Sequence, residues 1–231
     1  MRKLWPLLVA STVGFVILCS LGVWQVNRLS EKTQLIAALD ARMNRAPITL
    51  AQALERHARG EDIEYLKVET SGRANPAHAL AKVSSLEGGP GWQIIEPFIS
   101  REGIFILVDV GVAPDKNIVA VNGDQSIAGI VRTHNKGRGY FDNDNDEAGN
   151  VWYWWDVPAM LAAAVAPVNA KVAPFILQKL PGPTNAGSPF PEKPKVELNN
   201  NHLGYAFTWF GLAMALLAVT GFFTWSVVKK D

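Results

Sequence analysis

The amino-acid sequence predicts a membrane protein in which two transmembrane α-helices flank an α+β periplasmic domain with a mainly antiparallel sheet. Two uncharged stretches around a normally charged middle predict this class. None of the 24 residues from Leu4 to Asn27, and none of the 31 from Leu198 to Val228, is Asp, Glu, Lys or Arg, although 19% of the 231 residues are charged. About 20 apolar residues cross the hydrocarbon core of a bilayer, so both stretches are long enough to span it.

The first predicted transmembrane helix covers residues 4–27 and the second covers residues 202–228. Tryptophans lie near both ends of each stretch, an aromatic-belt pattern that makes the lipid bilayer a predicted partner. They are Trp5, Trp24, Trp209 and Trp225. A cleaved secretory signal is the alternative for the first stretch. It is disfavoured because the run ends in Leu21-Gly22-Val23-Trp24-Gln25, without the small-residue pattern of a cleavage site.

Basic residues at the two ends of the chain predict its orientation. Arg2 and Lys3 precede the first stretch, and Lys229 and Lys230 follow the second. Positive charge favours the cytoplasmic side of a membrane, and no Arg-rich, Ser-rich transit peptide comes first. We therefore predict a multi-pass protein of a bacterial inner membrane, with both termini in the cytoplasm and the middle domain in the periplasm.

The middle of the chain divides into three predicted segments. Residues 28–60 are predicted to form amphipathic helices above the membrane, the second opened by a capping box of Thr49 and Gln52. Residues 61–180 are predicted to form a mainly β periplasmic domain, because short β-branched and aromatic runs alternate with Gly, Pro and Asn. Residues 181–197 are predicted to be a Pro-rich linker.

The β pattern contains seven predicted strands and one short predicted helix. With few helical crossovers between them, the strands predict a mainly antiparallel sheet or open barrel. The predicted strands are Tyr65–Gly72, Leu80–Ser84, Trp92–Phe98, Ile104–Gly111, Ile127–Arg132, Val151–Val157 and Phe175–Lys179, and the predicted helix is Pro158–Ala166. Within the sixth strand, Trp152 to Trp155 are interpreted as a strand buried on both faces.

Composition argues against several classes of protein. A net charge of +1 lacks the basic surplus that neutralises phosphates, so no nucleic acid partner is predicted. The single cysteine, Cys19, excludes an internal disulfide and a cysteine cluster. The motifs of metallohydrolases, P-loop proteins and serine hydrolases are absent. We therefore predict that the protein is not an enzyme.

Two further motifs receive a structural interpretation. His57, His78 and His134 are isolated in sequence and are interpreted as surface or loop residues. The run Asp142–Asp146 resembles the start of a calcium loop, but Glu147 and Tyr153 stand where such a loop needs Gly and Glu. The run is therefore interpreted as a solvated turn.

The outer ends of the two predicted spans carry the polar side chains of the apolar stretches. Trp24, Gln25 and Arg28 share one side of the first helix. His202, Tyr205, Ala206 and Trp209 share one face of the second. A neutral imidazole can ligate haem iron, an arginine can bind a propionate, and tryptophans can flank a porphyrin. Interfacial anchoring by Trp, Tyr, Arg and His is the alternative for the same residues.

These residues resemble the Surfeit locus protein family of cytochrome c oxidase assembly factors. Gly22-Val23-Trp24-Gln25-Val26-Asn27-Arg28-Leu29 is similar to the first-span motif of that family, and Asn201-His202-Leu203-Gly204-Tyr205-Ala206 to its second-span motif. Val108-Asp109-Val110-Gly111-Val112-Ala113-Pro114 lies where the family has a V-x-R-G-W-V-P-like turn. Val110 and Val112 replace the usual Arg and Trp, which indicates a divergent bacterial member.

The resemblance implies a non-catalytic factor that assists haem a delivery or insertion into the large subunit of the oxidase. It implies haem a as a transient cofactor, His202 as the ligand of the haem iron, and the large subunit and haem a synthase as partners. Trp24, Arg28, Tyr205 and Trp209 complete the candidate cofactor site, with Arg28 as a propionate partner by our own inference. The alternatives are a scaffold that binds oxidase subunits without contacting haem, and an enzyme that modifies haem or a quinol.

Overall fold

The computed structural model describes residues 4–86, 89–116, 124–134, 137–182, 188–194 and 200–229. The chain divides into two compact units. One unit comprises Met1–Leu39 and Val196–Asp231, and the other comprises Asp40–Lys195. We call the first the helix pair and the second the sheet domain.

The helix pair contains the longest elements of the chain. The α-helices of the described residues are α1 Trp5–Met43, α2 Leu50–Ala58, α3 Val157–Ala163 and α4 His202–Val228. By length and composition, α1 and α4 could each cross a membrane. Only 6% of the most apolar window of each is buried within the protein, so their apolar surfaces need a further apolar environment.

The sheet domain is built on seven strands. They are β1 Ile48–Thr49, β2 Lys67–Ala74, β3 Leu80–Leu86, β4 Gly89–Ser100, β5 Ile104–Ala113, β6 Asp124–Arg132 and β7 Lys171–Lys179. Their order is β1-β2-β6-β7-β5-β4-β3, and a further antiparallel pairing of β2 with β4 closes five of them into a ring. Among the strand pairs of the described residues, only β1–β2 and β5–β7 are parallel. The prediction of a mainly antiparallel sheet is confirmed.

Two hydrophobic clusters stabilise the sheet domain. The larger cluster takes side chains from all five strands of the ring and from Leu50 and Ala53 of α2, so it fills the ring. The smaller cluster lies on the other face of β4, β5 and β7 and is covered by Trp152 and by Met160 of α3. Every residue of β5 is buried, since this strand contributes to both clusters.

Most predicted elements are found with shifted ends. The capping box of Thr49 and Gln52 is formed in full at the start of α2. β2 begins at Lys67 rather than at Tyr65, because the backbone of Tyr65 has a φ of 63° and leaves the extended conformation. β7 begins four residues earlier than predicted, at Lys171, and its pairing with β5 shifts register there.

The predicted strand Val151–Val157 is wrong. Val151 and Trp152 make only isolated bridges, and α3 already begins at Val157. The side-chain oxygen of Asn145 accepts the backbone N–H groups of Tyr153 at 2.8 Å and Trp154 at 3.3 Å, which replaces a strand ladder by a side-chain contact. The interpretation of Trp152 to Trp155 as a strand buried on both faces is therefore also wrong.

His134 is a loop residue, as interpreted, but its side chain is half-buried. It follows β6 in a loop, but its ring stacks on Trp155 with the centroids 4.1 Å apart. Burial lowers the pKa of His134 to about 3, with the charges of Arg132 and Lys82 acting in the same direction. Parts of the predicted linker, at 183–187 and 195–197, lie outside the described residues.

Candidate functional site

The helix pair packs along one seam. α1 and α4 run antiparallel, since Ser11 contacts Thr220 while Gly22 contacts Phe210 near the other end. The buried residues of the seam are small or polar: Ser11, Gly22 and Gln25 on α1, and Ala206 and Ala213 on α4. Small residues allow two helices to approach closely where no hydrophobic effect drives them together.

The spacing of the buried residues fixes the rotation of both helices. Ser11 and Gln25 are two heptads apart, Gly22 lies three residues before Gln25, and Ala206 and Ala213 are one heptad apart. A repeat of 3.5 residues keeps one face of each helix against its partner. The seam therefore determines which side chains meet at each level.

At the end of the seam near the start of α4, Gln25 meets His202. The imidazole Nδ1 of His202 lies 2.7 Å from the amide Oε1 of Gln25, and Gln25 is only 8% exposed. An amide oxygen accepts hydrogen bonds and cannot donate them, so Nδ1 donates and carries the ring proton. In a neutral imidazole with the proton on Nδ1, the other ring nitrogen, Nε2, has a free lone pair, which is the form of histidine that binds a metal ion.

Trp24 contacts His202, and Arg28 lies beside Trp24 on α1. The rings of Trp24 and His202 meet edge to face with centroids 6.5 Å apart, and the Arg28 guanidinium lies 5.8 Å from the centre of the Trp24 ring. Arg28 also forms a 2.8 Å ion pair with Glu31, and both side chains are more than half exposed. An exposed ion pair is worth little, so another carboxylate can replace Glu31 at small cost.

The two remaining predicted site residues lie apart from this group. Tyr205 is 56% exposed, because the seam passes through the adjacent Ala206. Trp209 is half-buried, and its indole Nε1 is buried without a hydrogen-bond partner among the described residues. Neither residue hydrogen-bonds to His202 in the part of the chain that the structure describes. The structure therefore brings Trp24 and Gln25 into contact with His202 and places Arg28 beside Trp24.

Gln25 is the residue of this site that the sequence left unassigned. It lies on the same side of α1 as Trp24 and Arg28, but its residue type suggested no ligand chemistry. The available signal was an amide side chain within the charge-free stretch from Leu4 to Asn27. Such a polar group in an apolar contact needs a partner from the facing helix.

The sheet domain holds a second polar cluster, which is already saturated. Asp109 accepts hydrogen bonds from the Gln93 side chain at 2.7 Å and from the backbone N–H of Gly111 at 3.0 Å. Burial raises the pKa of Asp109 to about 6 despite these bonds. Arg132 binds both Glu64 and Gln178. Within the described ranges, no three His, Cys, Asp or Glu side chains are grouped as a metal site.

Gly111 occupies the centre of the turn-like motif at the end of β5. Its φ of 111° is accessible to glycine but strained for other residues, and a Cβ there would overlap the carbonyl of Phe190. Phe190 pairs with Val112 through two backbone hydrogen bonds, at 2.8 and 3.0 Å. This motif has a structural role in the sheet domain, since it lets a later segment of the chain pack directly on β5.

Comparison with known proteins assigns the chain to a family. The SURF1 family profile matches residues 12–214. Surfeit locus protein 1 of Xenopus tropicalis is 30% identical over 236 residues, covering 91% of this chain and 72% of that protein. The SURF1-like protein of Rickettsia felis is 30% identical over 217 residues, covering 90% of this chain and 92% of that protein. Human Surfeit locus protein 1 is 28% identical over 236 residues, with coverages of 91% and 74%.

The match extends from α1 through the sheet domain into α4, and it includes Gln25 and His202. The chain therefore belongs to the SURF1 family, a family of cytochrome c oxidase assembly factors.

Proposed function

We propose that this protein is a membrane-anchored assembly factor that holds haem a through His202 and assists its delivery to the large subunit of cytochrome c oxidase. In this proposal α1 and α4 cross a bacterial inner membrane, both termini are cytoplasmic and the sheet domain is periplasmic. Haem a synthase is the proposed source of the cofactor. The protein catalyses no reaction of its own.

The observation that carries the proposal is the hydrogen bond between His202 Nδ1 and Gln25 Oε1. It leaves Nε2 as a neutral donor atom, and neutral imidazole nitrogen is a common axial ligand of haem iron. The residues present therefore fit the group. When bound, haem supplies the iron and its own redox chemistry, while the protein contributes binding and orientation.

The neighbours of His202 have separate tasks in this proposal. Trp24 places an apolar ring beside the imidazole, which limits the access of water from that side. Arg28 exchanges its ion pair with Glu31 for a haem carboxylate, since a guanidinium matches the geometry of a carboxylate. The indole N–H of Trp209, which has no partner among the described residues, supplies one further hydrogen-bond donor within the helix pair.

A scaffold role without haem is the second candidate. Tyr140 and Phe141 of the sheet domain are 94% and 93% exposed and contact each other edge to face. Exposed aromatic side chains are enriched in protein interfaces. In a pure scaffold this aromatic pair would bind an oxidase subunit, and His202 would serve only to anchor α4.

Haem content separates the two candidates. The protein is purified from cells that make haem a, and absorption spectra are recorded for wild type, His202→Ala and the control His78→Ala, whose side chain is exposed in the sheet domain. We expect a haem spectrum for wild type and His78→Ala and its loss in His202→Ala. The proposal fails if wild type carries no haem, or if His202→Ala keeps the same spectrum and occupancy.

A further inference from the structure

We infer that Gln25 is a positioning residue that fixes the tautomer and ring orientation of His202, so that Nε2 is the atom presented to the haem iron. The inference rests on the proposed function for the identity of the ligand, but the tautomer itself is a property of the haem-free protein. Among the described residues, the Gln25 amide makes the only hydrogen bond to the His202 side chain.

The packing of the helix pair aligns Gln25 with His202. Gly22 lies almost one turn before Gln25, and a Cβ at that position would lie 2.6 Å from the ring of Phe210. The absence of a side chain lets Phe210 pack directly against α1. Because Phe210 lies two turns after His202 on α4, this contact sets the depth and rotation at which His202 reaches Gln25.

A simple structural role for this hydrogen bond is the competing explanation. Polar contacts between apolar helices stabilise their association whatever they do for a ligand. The same seam contains a matched example, since the Thr220 hydroxyl donates to the Ser11 hydroxyl at 3.0 Å. Removal of either contact costs one interhelical hydrogen bond, but only the Gln25 contact acts on an imidazole.

The amide also sets the strength of the ligand. A carboxylate that accepts the Nδ1–H would increase the negative charge on the ring and make Nε2 a stronger donor. A neutral amide does so to a smaller degree, because hydrogen bonds to neutral acceptors are weaker than those to charged ones. Gln25 therefore makes His202 an oriented but exchangeable ligand, which suits a protein that must release its haem.

The first experiment tests the tautomer without haem. The full-length haem-free protein is labelled with 15N-histidine in lipid nanodiscs, and His202→Ala identifies the His202 signals. We expect protonated Nδ1 and unprotonated Nε2 in wild type and in Ser11→Ala, and a mixture of tautomers in Gln25→Leu. An unchanged Nδ1–H tautomer in Gln25→Leu would overturn the inference and leave the proposed function intact.

The second experiment measures haem binding. Orienting partners of metal-binding histidines are worth roughly 10–100-fold in affinity, so Gln25→Leu should weaken haem binding by about that factor while Ser11→Ala leaves it unchanged. The nearly isosteric Gln25→Glu should bind haem more tightly and lower its reduction potential. Equal losses in Gln25→Leu and Ser11→Ala, or an unchanged potential in Gln25→Glu, would show a merely structural contact. Absence of haem from wild type would instead refute the proposed function.

Discussion

The group at His202 in the helix pair and the cluster around Asp109 in the sheet domain use polar side chains in opposite ways. The Asp109 carboxylate accepts hydrogen bonds from both Gln93 and Gly111, although elsewhere in the sheet domain Trp154 Nε1 is buried without a partner among the described residues. In the helix pair the one buried hydrogen bond at His202 leaves Nε2 uncommitted, and the Trp209 N–H has no partner among the described residues. Saturated networks stabilise a fold, whereas an uncommitted donor or acceptor is free for a ligand. The number of charged groups is therefore a poor guide to the site.

The largest expected effect tests whether the sheet domain serves stability. Trp152 is fully buried against α3, and its Nε1 donates to Asn150 at 3.2 Å. Trp152→Ala should lower the free energy of unfolding of the sheet domain by about 3–5 kcal/mol. Hydrogen exchange of the sheet amides in the full-length protein measures this change.

The control is Val168→Ala, whose side chain is 91% exposed and should alter stability by less than about 0.5 kcal/mol. Under native conditions both variants should keep the His202 tautomer of wild type. A changed His202 tautomer in Trp152→Ala would contradict the separation of roles between the two units, because the helix pair would then depend on the packing of the sheet domain.

The next effect concerns pH and the saturated cluster. Asp109 ionises near pH 6 in the folded protein but near its ordinary value of 3.8 when unfolded. Between these values the folded state holds the proton more tightly, so stability falls as the pH rises from about 4 to about 6. The full shift corresponds to about 3 kcal/mol, which Asp109→Asn should remove.

The pH effect is measured as the stability difference between Asp109→Asn and wild type, which cancels other titrations. One of these is His134, whose lowered pKa makes the folded state less stable in acid and so gives a slope of opposite sign. A difference that stays constant between pH 4 and pH 7 would contradict this prediction, because it would mean that hydrogen bonds and charges fully offset the burial of the Asp109 carboxylate.

The smallest effect tests the seam. Gly22→Ala places a methyl group 2.6 Å from the Phe210 ring, which is 36% exposed and can move. The association of the two helices should weaken by about 1–2 kcal/mol, the lower range for overpacking. Pulsed EPR distances between labels at Val13 and Met214, two exposed positions, detect separation of the helices in a Cys19→Ser background.

Gly211→Ala is the matched control, because nothing lies within 4 Å of a Cβ at that position. It should be neutral or slightly stabilising, since alanine favours the helix over glycine. If both glycine variants separate the helices to the same extent, close packing at Gly22 is not what aligns Gln25 with His202.

Sequence reasoning identified the long apolar helices and most strands, because these depend on local patterns. It mistook Val151–Val157 for a strand, since the aromatic residues there satisfy the strand pattern while Asn145, several residues earlier, captures their backbone N–H groups. The closure of the ring by the pairing of β2 with β4 could not be predicted from the sequence either. That closure depends on the register of strands far apart in sequence.

The site was partly predictable for the same reason. Helical spacing places Tyr205 and Ala206 on one face with His202, but it cannot say which of them lies at the centre of the seam. The structure places Ala206 there and leaves Tyr205 exposed. The contact of Gln25 with His202 requires the pairing of two helices separated by the whole sheet domain, and the sequence shows the residues without showing that pairing.

The seam makes the site sensitive to helical phase. One residue inserted in α4 between His202 and Ala206 would rotate His202 by about 100° relative to the buried face, because an α-helix has 3.6 residues per turn. The length and apolar composition of α4 would hardly change. A protein altered in this way would keep its apolar helices and its sheet domain, yet the histidine would face away from Gln25. Two relatives with equally apolar helices can thus differ in whether the histidine meets the glutamine, and the number of residues between the histidine and the first buried alanine distinguishes them.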